Sequence, residues 1–292
     1  MSDQTTPDLL PVKSVLEDGL LIVTIDHPPV NALSHAVRAG LLDAAERLDA
    51  DDAARAMVLC STGTVFVGGA DIREFSGPRR DPLLNALCHR IEACTKPVIA
   101  AIQGAALGGG FEIALASHYR VAAPAAVVAF PEVLLGLLPG AGGTQRAPRL
   151  CGAALALDLM LTGRRMTAAD ALTAGLIDVL ADAPLDTARQ WARELCARGG
   201  PWPQARQGQA LLDQSLAHRQ VAEALDRVPH SEVHAFARAR ILRCVTAAID
   251  MPFEQGAQVE AEAFLECLAS PEREQLVAAF FAARAARKSP SA

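Results

Sequence analysis

The sequence contains few aromatic residues and no long apolar run. Aromatic residues make up only 4% of the 292 positions while apolar residues make up 51%, so Ala, Leu and Val must fill the core. No stretch approaches the roughly 20 apolar residues of a membrane-spanning helix. The polar start MSDQTTPD also lacks the basic and apolar regions of a signal peptide. We therefore expect a soluble, cytoplasmic protein that does not bind membranes.

Neither a basic cluster nor a cysteine framework is present. The chain has 27 Lys and Arg against 33 Asp and Glu, a net charge of −6, which argues against nucleic acid as a partner. Its 7 cysteines include no C-x-x-C pair, which is typical of reduced thiols in a reducing compartment. The ending KSPSA is not a peroxisomal signal of the SKL type.

Three common motifs of nucleotide-binding proteins and hydrolases are also missing. The glycine pairs that could begin a dinucleotide fingerprint are followed by Ile113 and Gln145 where the third glycine should stand. No glycine-rich stretch ends in Gly-Lys-Ser or Gly-Lys-Thr, and no G-x-S-x-G run is present. These absences disfavour a nucleotide phosphate as ligand and exclude a serine-hydrolase elbow.

The most informative stretch runs from Pro97 to Arg146. An apolar run, Pro97–Gln103, predicts a buried strand, and the glycines at 108–110 then lead into FEIALAS, which suits a helix. A helix that starts after a glycine turn presents free N–H groups, which bind anions. We expect this anion to be a transient oxyanion, flanked by the carboxylates of Glu112 and Glu132.

Strand and helix patterns alternate through the first two thirds of the chain. The patterns predict strands Leu20–Ile25 and Ala56–Cys60, and helices Ser34–Ala50, Asp81–Ala93 and Leu185–Ala197. This alternation predicts an α/β fold. The segment STGTVFVGGAD is expected to be a loop, and GGPWP marks a boundary. We therefore expect a catalytic core over residues 1–198 and a helical C-terminal region over 199–292.

Four segments in register resemble the enoyl-CoA hydratase/isomerase (crotonase) superfamily. They are HPPVNALS, GTVFVGGADIREF, GAALGGGFEIAL and FPEVLLGLLPGAGGTQRAPRLCG. Their details are closest to the hydratase portion of bifunctional enoyl-CoA hydratase/3-hydroxyacyl-CoA dehydrogenases. The resemblance is strong over about residues 12–182 and implies a spiral of ββα repeats.

The resemblance also implies roles for individual residues. It assigns the backbone amides of Ala70 and Gly109 to an oxyanion hole for the thioester oxygen. It assigns Glu112 to the attacking water, Glu132 to the proton on the α carbon, and the Gly140 amide to a further water contact. The implied activity is hydration of 2-enoyl-CoA, with a Δ3-Δ2-enoyl-CoA isomerase side activity.

The substrate and the assembly follow from the same resemblance. Coenzyme A is expected along the ADIREF loop near Gly68, Ile72 and Arg73; because it is part of the substrate, no separate cofactor is expected. Stand-alone relatives are commonly homotrimers or hexamers, whereas the hydratase part of bifunctional relatives works within one chain.

Other interpretations stay open. Another crotonase-type reaction, such as isomerisation, thioester hydrolysis or decarboxylation, would use the same oxyanion hole, and a non-catalytic acyl-CoA-binding partner of a dehydrogenase would keep the fold. Taken singly, Glu112 would be an acid that complements a helix N-terminus. His230 and His234 have the spacing of one helix face, but no third ligand is evident, so a solvated face is favoured and no metal is expected.

Overall fold

The computed structural model describes residues 10–209, 211–227 and 232–288. His230 and the two ends of the sequence lie outside these residues. In the part described, ten strands form two sheets and eleven α-helices surround or extend them.

The larger sheet has six strands in the order β1-β2-β3-β5-β7-β10. They are Val12–Glu17 (β1), Leu20–Ile25 (β2), Ala56–Ser61 (β3), Val98–Ile102 (β5), Tyr119–Ala122 (β7) and Val179–Leu180 (β10). The smaller sheet has the order β4-β6-β8-β9 and consists of Val65–Val67 (β4), Ala105–Leu107 (β6), Val127–Ala129 (β8) and Met166–Thr167 (β9). The outermost pairs β1-β2 and β8-β9 are antiparallel, and all other pairs are parallel.

Seven helices belong to the first two thirds of the chain, and four form the C-terminal region. The first seven are His35–Ala50 (α1), Leu84–Glu92 (α2), Gly109–Ala116 (α3), Gly143–Cys151 (α4), Ala153–Thr162 (α5), Ala168–Thr173 (α6) and Pro184–Arg198 (α7). The last four are Gln214–Arg227 (α8), Ala235–Asp250 (α9), Phe253–Leu268 (α10) and Pro271–Lys288 (α11). Short 3-10 helices span Ile72–Ser76, Pro131–Leu135, Ala205–Gln207 and Glu232–His234.

Successive strands alternate between the two sheets before each helix. The units β3-β4-α2, β5-β6-α3 and β7-β8-α4 repeat this path, which confirms the α/β fold with ββα repeats. Parallel neighbours require such crossovers, because a parallel partner cannot be reached through a two-residue hairpin. The helices then cover apolar sheet faces that would otherwise contact water.

Most predicted elements are confirmed, but several strands were missed, among them the short strands β4 and β6. The helix from Ser34 begins as expected, since the Ser34 side chain accepts a hydrogen bond from the Val37 N–H. The predicted loop STGTVFVGGAD is wrong in part, because Val65–Val67 forms β4. The predicted direct passage from strand to glycine turn is also wrong, because β6 lies between them. Three residues are too few to show a periodic pattern, and these strands are defined by pairing with each other.

The C-terminal helices share the hydrophobic core of the ββα repeats. Ile241 and Val245 of α9 and Ala263 of α10 belong to the same buried cluster as Phe111 and Phe130. The C-terminal region therefore packs on the core of its own chain. No helix among the described residues is long and apolar enough to cross a membrane. All seven cysteines are free thiols.

Candidate active site

The candidate site lies where three neighbouring strands of the smaller sheet end. Strands β4, β6 and β8 are parallel and adjacent, so their carboxyl ends meet at one edge of the sheet. The chain leaves these strands through segments that carry Ala70, Gly109 and Glu132, respectively. Residues that are far apart in the sequence are thus brought together by strand pairing.

The amides of Ala70 and Gly109 form one side of the site. Gly109 is the first residue of α3, so its N–H has no acceptor within the helix. A Cβ atom on Gly109 would lie 3.5 Å from the Ala70 nitrogen and 2.6 Å from Cδ2 of Leu84. A side chain at position 109 would therefore require Leu84 to shift. The loop before Ala70 is fixed by a 2.9 Å hydrogen bond from the Leu33 N–H to the Gly69 carbonyl. Gly109 thus lies next to the Ala70 nitrogen, the proximity that two donors to one oxyanion would need.

Glu112 lies in the first turn of α3 and is only 2% exposed. Its Oε1 atom accepts hydrogen bonds from the backbone N–H of Ala141 at 2.7 Å and of Gly143 at 2.9 Å. Burial raises the pKa of Glu112 to about 7, although the two amides and the charge of Arg146 oppose this rise. One carboxylate oxygen is thus held by the protein while the other, Oε2, accepts none of the hydrogen bonds found among the described residues.

The turn that binds Glu112 is itself held in place by Arg146. Arg146 donates to the Ala141 carbonyl at 2.9 Å and forms a fully buried ion pair with Glu92 at 2.8 Å. A Cβ atom on Gly143 would lie 2.8 Å from Glu112 Oε1. Gly142 has φ +95°, a conformation in which a side chain would be strained and would meet the Arg146 guanidinium. The glycines of this turn therefore permit the close approach of the carboxylate.

Glu132 has a different environment, on the 3-10 helix after β8. Its Oε2 atom is buried and has no hydrogen-bond partner among the described residues. Its Oε1 atom lies 2.7 Å from the position that a Cβ atom on Gly108 would occupy. Burial, with the charge of Glu112 as a second cause, raises the pKa of Glu132 well above its usual range. The two acids are thus close enough to interact, and their proton affinities differ.

Gly140, the third predicted backbone contact, lies beneath an aromatic ring of the C-terminal region. A Cβ atom there would lie 2.5 Å from Cδ2 of Phe264, which belongs to α10. Phe264 also packs edge-to-face on Phe75, with ring centroids 6.3 Å apart. Phe75 belongs to the short helix that follows Ala70. This aromatic pair joins the C-terminal region to the segment that follows Ala70, and sequence reasoning did not anticipate it.

The residues predicted to bind coenzyme A lie on the loop around Ala70. The Arg73 side chain is 74% exposed and forms an ion pair with Asp71 at 2.7 Å, next to Ile72. Gly68 donates its N–H to the Val30 carbonyl at 2.8 Å, and a Cβ atom on Gly68 would lie 3.0 Å from Val30. Close packing against Val30 is thus one reason for glycine at position 68.

A further carboxylate, Glu260, was missed by sequence reasoning. It lies in α10 and is 2% exposed, yet it accepts hydrogen bonds from the backbone N–H of Gly142 at 2.6 Å and of Thr144 at 3.0 Å. More than one hundred residues separate it from this turn, so no local motif marks it. The sequence offers one indication of its burial. Glu260 shares a face of α10 with Gly256, Ala263 and Cys267, all of which are buried.

No metal centre is found in the part of the chain that the structure describes. No group of three His, Cys, Asp or Glu side chains there could hold a metal ion. His234 ends the 3-10 helix before α9, so the proposed pairing with His230 cannot be followed within the described residues.

The fold and this arrangement of glycines and acids define a class of acyl-CoA enzymes. Residues 16–239 match the sequence family described as "Enoyl-CoA hydratase/isomerase". The chain belongs to this family, within the crotonase superfamily.

Similar sequences come from multifunctional enzymes. The chain is 40% identical over 279 residues to the peroxisomal bifunctional enzyme of Danio rerio and 39% identical over 280 residues to that of Homo sapiens. Both alignments cover 94% of this chain but 38% of the relative. A glyoxysomal fatty acid beta-oxidation multifunctional protein of Cucumis sativus is 35% identical, with 96% of this chain and 40% of the relative covered. The chain thus spans about two fifths of these relatives.

Solved structures share the fold over nearly the whole chain. An enoyl-CoA hydratase/isomerase from Pseudoalteromonas atlantica has a TM-score of 0.66 at 27% identity and covers 97% of this chain and 99% of its own. EchA1_1 from Mycobacterium paratuberculosis has a TM-score of 0.69 at 26% identity, with 91% and 94% covered. These matches include the C-terminal helices as well as the ββα repeats.

Proposed function

We propose that this chain is an enoyl-CoA hydratase that adds water syn across the double bond of a 2-enoyl-CoA thioester. The observation that carries the proposal is the unequal pair of acids, the buried Glu112 and the half-buried Glu132, beside the amides of Ala70 and Gly109. The relatives named as bifunctional or multifunctional beta-oxidation enzymes support it, since hydration is one step of that chemistry.

Hydration needs a base at the β carbon and an acid at the α carbon. Glu112, with Oε1 held by two amides, presents Oε2 to a water molecule and takes its proton as the new C–O bond forms. Glu132, protonated because its environment raises its pKa, gives a proton to the α carbon. Proton exchange between the two acids or with solvent restores the starting state.

Negative charge develops on the thioester oxygen during this reaction. The amides of Ala70 and Gly109 would each stabilise it by about 3 kcal/mol, the usual scale for one oxyanion-hole donor. The Gly140 amide is proposed as a further contact of the water. Coenzyme A would follow the loop through Gly68, Ile72 and Arg73, where the exposed Arg73 cation suits an anionic ligand.

A second candidate activity is isomerisation of 3-enoyl-CoA to 2-enoyl-CoA. The buried, unpartnered Oε2 atom of Glu132 favours it, because a single carboxyl group in its ionised form can take the proton from the α carbon and return it to the γ carbon. This reaction needs no water held by Glu112, so the two activities separate on a Glu112→Gln variant.

The direct test is the absorbance of the conjugated thioester. Purified protein should bleach the absorbance of 2-enoyl-CoA over at least part of a series of chain lengths. Tight CoA-thioester binding without any bleaching would instead support a non-catalytic partner of a dehydrogenase. Light scattering on the same sample tests the proposed homotrimer or hexamer against a monomer.

A further inference from the structure

Four successive amides, over residues 141–144 where α4 begins, bind two different carboxylates. The N–H groups of Ala141 and Gly143 donate to Glu112, whereas those of Gly142 and Thr144 donate to Glu260. The amides therefore alternate between the acid proposed to hold water and an acid from the C-terminal region.

Glu260 is a buried residue whose carboxylate is fixed by several hydrogen bonds from the turn. Both carboxylate oxygens are used, since Thr144 Oγ1 also donates to Oε2 at 2.5 Å. One turn earlier on α10, a Cβ atom on Gly256 would clash with Oε1 of the buried Gln145, so glycine allows the helix to come this close. Gln145 in turn donates to Thr144 Oγ1 at 2.9 Å. Hydrogen bonds and close packing thus join α10 to the start of α4.

The turn needs such an external restraint because of its sequence. Gly142 and Gly143 have no Cβ atoms to limit their backbone angles, and glycine is the residue with the greatest backbone freedom. Arg146 fixes the turn through the Ala141 carbonyl, and Glu112 contributes two contacts of its own. Glu260 is the anchor that fixes the alternate amides without taking part in the chemistry proposed above.

We propose that Glu260 is a positioning residue of this site. It holds the turn over 141–144 in place, so that the amides of Ala141 and Gly143 fix Oε1 of Glu112 and leave Oε2 of Glu112 to contact the water. The proposal rests on the proposed hydratase function. It also makes the C-terminal region part of the catalytic apparatus of its own chain, because α10 supplies a contact that the ββα repeats lack.

The test replaces Glu260 by Gln, which keeps the shape but sets an NH2 group against a backbone N–H donor. A misplacement of about 1 Å can cost about a hundredfold in rate, so we expect kcat for 2-enoyl-CoA to fall about ten- to hundredfold while KM stays within about twofold. Glu262→Gln, on an exposed position of the same helix, is the matched control and should keep both constants. The wild-type rate, measured first, tests the proposed function separately.

Two further measurements decide between positioning and mere structural support. In a Glu112→Gln background, Glu260→Gln should lower the residual rate no further, because Glu260 acts through Glu112. Thr144→Val removes one donor to Glu260 with little change of shape, and should lower kcat about threefold or more even if Glu260→Gln does not fold. The proposal is overturned if folded Glu260→Gln keeps the wild-type kcat, if its loss is the same in both backgrounds, or if Thr144→Val is fully active.

Discussion

The two acids of the candidate site lie in contrasting surroundings. Glu112 has one oxygen fixed by two backbone amides, and Arg146 adds a favourable charge nearby. Glu132 has a buried oxygen with no hydrogen-bond partner in the described structure, and the largest effect of a charged group on its pKa is the repulsion by Glu112. In the proposed mechanism this difference suits Glu112 to the role of base and Glu132 to the role of proton donor, the two roles that water addition requires.

The largest expected effect is loss of activity when either acid is replaced by its amide. Glu132→Gln should lower the hydration rate at least about a hundredfold, since it removes the proton donor, and Glu112→Gln should do the same by removing the base. The rate of bleaching of 2-enoyl-CoA measures both. If Glu132→Gln retains activity, another group donates the proton, and the contrast drawn between Glu112 as base and Glu132 as acid is wrong.

A smaller effect is expected from a methyl group placed against Glu132. Gly108 has φ +52°, and a Cβ atom there would lie 2.7 Å from Glu132 Oε1, so Gly108→Ala should lower kcat about tenfold or more by displacing the acid. Gly63→Ala is the matched control, because Gly63 has φ +77° but nothing within 4 Å of its Cβ position. Equal kinetic losses in the two variants would mean that backbone strain, and not displacement of Glu132, is responsible.

The pH dependence of the rate is a second test of the difference in pKa between Glu112 and Glu132. Below about pH 7 Glu112 gains a proton and can no longer accept one from water, so the rate should fall about tenfold per pH unit on the acid side. At high pH Glu132 loses its proton and the rate should fall again. A kcat/KM profile over pH 5 to 10 checks this bell shape, whose limbs belong to the coupled carboxyls together. A rate that stays constant down to pH 5 would contradict the raised pKa of Glu112.

The smallest effect concerns stability. The pKa of Glu132 is higher in the folded than in the unfolded chain, so the folded state binds the proton more tightly and the free energy of unfolding falls as pH rises above about 4.5. Glu132→Gln removes this penalty and should raise Tm by about 2–4 °C at pH 8, corresponding to about 1 kcal/mol. At pH 4 the gain should vanish. A gain that is equal at both pH values would point to packing instead of ionisation.

Much of the fold was predictable because its longer elements are periodic or bounded by clear signals. The helix after Ser34 has a capping residue and a regular apolar face, and β2 is an uninterrupted apolar run. In contrast, β4 and β6 have three residues each, and only their mutual pairing distinguishes them from loop. The smaller sheet, which carries the site, was therefore the part that sequence patterns described least well.

The site was predictable to the extent that its residues are encoded in continuous motifs. Gly109 and Glu112 lie in one glycine-rich segment, and strand pairing then brings Ala70 beside them, as the family resemblance implied. Glu260 and Phe264 reach the same place from α10, and nothing local in the sequence connects them to the turn or to Gly140. Contacts of this kind follow from helix packing, which a single sequence does not reveal.

The protonation state of Glu132 tests the central claim most directly. At about pH 7, where an ordinary glutamate is ionised, Glu132 should retain its proton, because burial and the charge of Glu112 raise its pKa well above the usual range. Infrared difference spectra of wild type and Glu132→Gln at this pH should show the carbonyl band of one buried carboxylic acid that the variant lacks. If the two spectra have the same carboxylic-acid intensity, Glu132 is ionised in the wild type and the assignment of acid and base is wrong.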